Sequence, residues 1–305
     1  MWLSIALLGN GILAIVGILD KFILSKSVPK PVVFVFYSTI FVLPLFLILP
    51  FGWTQIPNTT FDYLVFAISG GCFALGLWAM YTALEKIEVS RVGPLIGAAA
   101  PFFILFLSRI FLGEKLSYYA LLGALFLIVG CLVISFEKKN QSSIGRGGLW
   151  WAALAGLLFA ISHVSAKYVY GMYGFFDGFV FTKLPVGVFG AALLLDPDVR
   201  AIFNKKQKPA PGQPPKKNQL LLVAGDMLLG VTATILLQYA MALGSVTLVN
   251  ALAGVQYALL IVFTALISKF FPNNILKEKF TLQSVIRKGM AVSVIAFGLV
   301  LLIIK

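Results

Sequence analysis

Three ionisable residues, His163, Lys183 and Asp226, lie inside long apolar blocks of this sequence. A charge at the centre of a helix in hydrocarbon costs at least about 2.5 to 3.5 kcal/mol, so each of these positions points to a role. Lys183 follows Thr182 and precedes Pro185, whose ring removes a helical hydrogen bond and kinks the span. Asp226 is the expected partner. Counted from the block ends that flank 196–218, Lys183 is about 12 residues deep and Asp226 about 8, a mismatch of roughly 6 Å that a lysine stem can bridge. Such a pair either ties two helices together or neutralises itself until an anionic or zwitterionic solute competes for one member. His163, the only histidine, sits beside Ser162 and Ser165. Its ring either packs as a satisfied neutral group or carries a proton, since its normal titration range lies near neutral pH.

A second set is polar but uncharged. Asn10, Gln238, Asn250 and Gln256 are amides inside apolar blocks, Trp78 and Tyr81 recur at helical spacing with Glu85, and Tyr239 and Tyr257 each follow a glutamine. Amides in a membrane helix need partners, worth about 1 kcal/mol each, so the set divides between interhelical bonding and the lining of a pocket. Trp78 and Tyr81 can stack on a solute. The stretch from Gly93 to Ala100 is small-sided and contains Gly93-x-x-x-Gly97, which lets helix backbones approach closely. Pro94 and Pro101 free carbonyls within it, so these four residues describe either a bending gate or a kinked packing helix. Cys72 and Cys131 match no zinc or redox spacing and read as packing residues. No H-E-x-x-H, G-x-S-x-G or phosphate loop is present, and one histidine supplies no metal cluster. The residues call for no catalytic role, cofactor or metal.

The elements that must hold these residues follow from composition. Apolar residues make up 60% of the 305 and charged residues 11%, where about a quarter is usual for a soluble domain. The apolar residues come in blocks of roughly 20, the length that crosses about 30 Å of hydrocarbon. The chain therefore reads as an all-α polytopic protein of the plasma (inner) membrane. Ten spans are expected, at about 2–21, 32–51, 62–84, 92–112, 118–136, 149–170, 174–195, 219–241, 246–270 and 284–304. A net charge of +13 raises the question of nucleic acid, but the basic residues lie between spans and not in an aromatic-laced patch. Lipid and a small molecule are the expected partners; monomer and homodimer are both open. The segment 196–218, with five prolines and six basic residues, reads as a disordered aqueous loop. Of the 24 Lys and Arg, 19 fall in the odd-numbered loops, which places those loops in the cytoplasm and both termini outside.

The stretch Glu88–Ser117 is written twice. Val89, Ser90, Val92, Leu95, Gly97 and Phe106 align with Val246, Thr247, Val249, Leu252, Gly254 and Phe263, and Gly113–Ser117 aligns with Lys277–Thr281. Residues 1–140 and 141–305 are thus two five-helix repeats, and an odd helix number inverts the second relative to the first. A V-S followed by a small-residue, proline-bearing helix, then F-L-G-E-K-L-S, then a Gly-containing span with Gly123 and Gly130, resembles the EamA family of the drug/metabolite transporter superfamily. The resemblance implies a carrier of small metabolites, often an exporter, with a cavity between the halves. It also implies cytoplasmic termini, opposite to the charge count, and the charge-based orientation is adopted. The second copy replaces Pro94 and Pro101 by Ala251 and Ala258, so the first is expected to bend and the second, through Asn250, Gln256 and Tyr257, to meet substrate.

The expectation is a carrier working by alternating access at a midplane site. Its rivals are a flippase for a lipid-linked substrate, with Lys183 at the headgroup, and a membrane scaffold, which leaves the buried charges without a purpose.

Overall fold

The computed structural model describes residues 1–26, 30–44, 57, 59–87, 89–135, 146–203, 216–270 and 282–303. The described elements are helical: α1 Trp2–Lys26, α2 Pro31–Ile40, α3 Thr60–Lys86, α4 Val89–Phe111, α5 Tyr118–Ser135, α6 Arg146–Ala192, α7 Pro197–Phe203, α8 Lys216–Leu243, α9 Val246–Ala251, α10 Ala253–Phe270 and α11 Leu282–Ile303. Eight described segments are long and apolar enough to span a membrane. In hydrocarbon the backbone must satisfy itself, which is why uninterrupted helices are the outcome.

The longest segment counts as two crossings. Gly174 takes φ 73°, ψ 175°, a conformation open essentially to glycine alone, and breaks α6 in the middle. Beyond it the chain doubles back: a Cβ on Gly178 would lie 2.8 Å from the Tyr170 ring, which a straight helix would hold a dozen ångströms away. The expected turn between the sixth and seventh spans is therefore present. α2 is ten residues long where described, and residues 45–56 lie outside the described part, so a complete tenth crossing is not seen.

α3 lies against both limbs of α6. Ser69 donates to the Ser162 carbonyl at 3.1 Å, and a Cβ on Gly70 would sit 2.6 Å from the Thr182 carbonyl. α1 packs on α8, with Gly9 under Leu237, and α5 packs on α11 where Gly123 and Gly298 face each other's carbonyl oxygens. The main apolar cluster takes Ala6, Ile104, Leu127, Val164 and Met241 from five helices and Leu252 from the α9–α10 junction, and so draws on both halves of the chain.

One expectation needs correcting. Residues 197–203, inside the segment read as disordered, form α7. Asp196 accepts from the backbone N–H groups of Asp198 (2.8 Å) and Val199 (3.4 Å), and Pro197 occupies the first helical position, where its missing N–H costs nothing. Asp198 then accepts from Lys30 Nζ at 2.6 Å, and Arg200 Nε donates to the Leu194 carbonyl at 2.9 Å. Proline content concealed an ordinary helix start. Residues 204–215 lie outside the described part.

Candidate functional site

The midplane cluster is built from three elements. The second limb of α6 carries Lys183, 5% exposed, and its Nζ stands 3.9 Å from the centroid of Phe73 on α3 and 5.8 Å from that of Phe179. The first limb carries His163, whose ring stacks with Phe159 at 6.3 Å and 18°. His163 Nδ1 lies 2.8 Å from Asn250 Oδ1 on α9. Asn250 Nδ2 donates to the Val246 carbonyl at 2.8 Å, which fixes the amide so that its oxygen faces the ring. Nδ1 therefore carries the proton, and Nε2 is the acceptor of the neutral imidazole. Lys183 and His163 are close enough to act on each other electrostatically. The arrangement is a basic cluster walled by aromatic rings, with Phe73 from the first half of the chain and Lys183, His163 and Asn250 from the second.

Lys183 and Asp226 do not pair. Asp226 is set against Asp20 on α1 instead, the two side chains within hydrogen-bonding reach, and among the described residues no ordinary donor reaches Asp226 Oδ1. Depth along a helix sets height but not azimuth, and α8 turns Asp226 toward α1. Beside these carboxyls the Tyr81 hydroxyl lies 3.3 Å from Ser38 Oγ on α2. The sequence reading overlooked Asp20, although an acid at the end of the first apolar window was there to be seen.

Several expected pocket residues are engaged elsewhere. Asn10 donates to the Ala6 carbonyl of its own helix at 2.8 Å. Gln238 Oε1 accepts from the Tyr170 hydroxyl at 2.7 Å, and Tyr239 packs 4.9 Å from the Phe175 ring. Trp78 is 43% exposed and tilts against Phe189 at 6.2 Å. Gln256 is half-buried. Tyr257 lies across the groove of Gly93 and Gly97, where a Cβ on Gly93 would stand 3.0 Å from its ring and one on Gly97 would overlap it. It thus acts as a packing knob between the two copies of the repeated stretch. α4 runs unbroken through Pro94 and Pro101, and the discontinuity falls in the proline-free copy, at Leu252 between α9 and α10. There the Val255 N–H turns to the Leu252 carbonyl at 2.9 Å, a three-residue bond that tightens the chain.

Two contacts across the halves close the end where α4 and α8 finish. Lys167 Nζ donates to the carbonyls of Met241, Ala242 and Gly244 at 2.8, 3.0 and 2.8 Å, satisfying the last turn of α8. Thr247 Oγ1 donates to Glu114 Oε2 at 2.5 Å and lies 2.9 Å from Ser108 Oγ. Glu114, within the repeated stretch, thus reaches the second half. A separate apolar pocket of about 520 Å³, lined by Pro57, Tyr63, Phe66, Phe181, Leu184 and Pro185, holds none of the expected substrate residues.

Described helices of this length and apolarity define a multi-pass membrane protein. The EamA-like transporter family matches residues 1–136, which bears out the resemblance carried by Glu88–Ser117. A solved crystal structure, described only as that of a protein, superposes with a TM-score of 0.64 over 98% of this chain and 96% of its own, at 17% identity; the likeness concerns the fold alone. No curated protein matches.

Proposed function

We propose that this protein is a secondary carrier of a small organic anion or zwitterion, held at the level of Lys183 between two inverted halves and opened alternately to either side. One observation supports this above the others. Lys183 is buried at mid-span with aromatic rings as its neighbours, and among the described residues no carboxylate forms an ion pair with it. An ammonium is expensive in such a place, and a ligand carboxylate would offset the cost. His163 adds a second basic group, and the Asn250 amide fixes its ring, so the site favours a solute presenting acceptors. The repeat supplies the means of exposure, since two similar units that face opposite ways can rock about a shared midplane site.

The test is counterflow in liposomes with pooled amino acids, carboxylic acids, nucleobases and sugars. Lys183→Met should abolish uptake of the carboxylate-bearing probes, at least tenfold, while leaving the melting temperature unchanged or raised, because it removes an uncompensated charge. Full uptake by Lys183→Met, or uptake restricted to uncharged probes, would refute the reading. Lipid scrambling in place of solute flux would favour the flippase.

A further inference from the structure

The carboxyl pair between α1 and α8 plays no part in the site just described. Asp20 and Asp226 hydrogen-bond one another through their side chains. Two carboxyl groups can do so only if one holds a proton, because ionised carboxylates are acceptors alone. Asp226 is 2% exposed and Asp20 is half-buried, and among the described residues no donor outside the pair reaches Asp226 Oδ1, so the pair is left largely to itself in its setting. That setting is apolar. Met227 of α8 clusters with Phe34 and Val35 of α2, Tyr81 of α3, and Phe189 and Leu193 that follow Lys183 along the chain. From α10, Leu260 meets Gly17, one turn before Asp20. Among the described residues the Tyr81 hydroxyl acts on both carboxyls, and Tyr37 lies at the edge of the same cluster. The side chains of residues 21–26 lie outside the described part. Counted from the Gly174 turn and from the end of α8, Asp226 is about eight residues, roughly 12 Å, further along than Lys183.

We propose that Asp20 and Asp226 form an exchangeable proton site, separate from the Lys183 pocket, whose occupancy selects the arrangement of α1 and α8 seen here. Loss of the proton breaks one carboxyl O–H bond, passes H⁺ to water and leaves two carboxylates side by side. Like charges in an apolar cluster repel strongly, so the deprotonated pair requires that α1 and α8 separate or that water enter. A ligand that binds one arrangement better than the other shifts the balance between them, and here the ligand is the proton. α1 packs on both α8 and α10, so a shift of α1 also reaches the helix that follows Asn250. The inference deepens the carrier reading by giving it a driving ion, but the proton site itself can be tested without any substrate.

The experiment uses the full chain in liposomes. Infrared difference spectra between acid and alkaline pH, in H₂O and D₂O, should show a protonated-carboxyl C=O band that is lost on alkalinisation, shifts in D₂O, and disappears in both Asp20→Asn and Asp226→Asn. Size-exclusion profiles check that the variants remain folded, and Asp226→Glu should retain a displaced band. A band that persists at alkaline pH, or that survives both Asn variants, overturns the proposal. In the same liposomes an imposed pH gradient should change the uptake of the pooled carboxylate probes severalfold. Asp226→Asn should keep counterflow but lose that response. Flux that ignores the gradient in wild type refutes the coupling while leaving the carrier reading intact. Absent flux with a titrating band retires the carrier reading and keeps the proton site.

Discussion

Placing a methyl group on Gly97 is the sharpest perturbation the packing offers. The Tyr257 ring bridges Gly93 and Gly97, and behind it stand Ala98, Ile128 and Cys131, which are buried, with Leu132 beside them. A Cβ at Gly97 would overlap the ring edge, and the same addition at Gly93 would meet it at 3.0 Å, so the ring has no room to slide along α4. Overpacking of this kind costs about 1 to 3 kcal/mol, and Gly97→Ala should fall near the upper end because the knob is held on two sides. Gly93→Ala should cost less, about 1 kcal/mol, since a shift of a few tenths of an ångström relieves it. The assay is thermal unfolding in detergent, followed by fluorescence-detected size exclusion. The control is the double variant Gly97→Ala with Tyr257→Leu, in which removing the ring should recover part of the loss. Coupling of about 1 kcal/mol or more between the two sites is expected for side chains in contact. Unchanged stability in Gly97→Ala, or strictly additive losses, would refute the account of Tyr257 as a knob on the repeated stretch.

Gly174→Ala should destabilise by about 1 to 3 kcal/mol from backbone strain alone, as a Cβ there meets nothing within 4 Å. Gly171→Ala, in equally open space but without positive φ, should be neutral or stabilising in the same melts. Lys167→Met removes three carbonyl bonds from the last turn of α8 and should cost about 2 kcal/mol, with Lys167→Arg recovering part of it. Faster hydrogen exchange confined to the α8–α9 junction would locate that loss, and unchanged exchange there would count against the cap.

Much of the architecture was legible because hydrocarbon leaves the backbone few options, and an apolar block of about 20 residues states its own fold. The repeat was legible too, and its copies turn out to pack on each other through Gly97 and Tyr257. What the sequence hid was direction around the helix axis. Lys183 and Asp226 were matched by depth, yet Asp226 faces α1. Proline marked α4 as the bending copy; α4 is continuous through both prolines, whereas Asn250, bonding back to the Val246 carbonyl, stands two residues before the break at Leu252. The partners of Lys167 are carbonyls more than seventy positions away, which no side-chain pattern reveals.

The contact of Gly123 with Gly298 also bears on how the protein comes to be assembled. Backbone meets backbone there with no side chain between, so α5 has no substitute partner that would fit the same groove. Yet α11 leaves the ribosome after every other described helix. α5 must therefore wait in the bilayer through synthesis of the whole second half with a glycine face turned to lipid. Any factor that guards nascent membrane segments would find a long-lived client on that face, and α11 would release it.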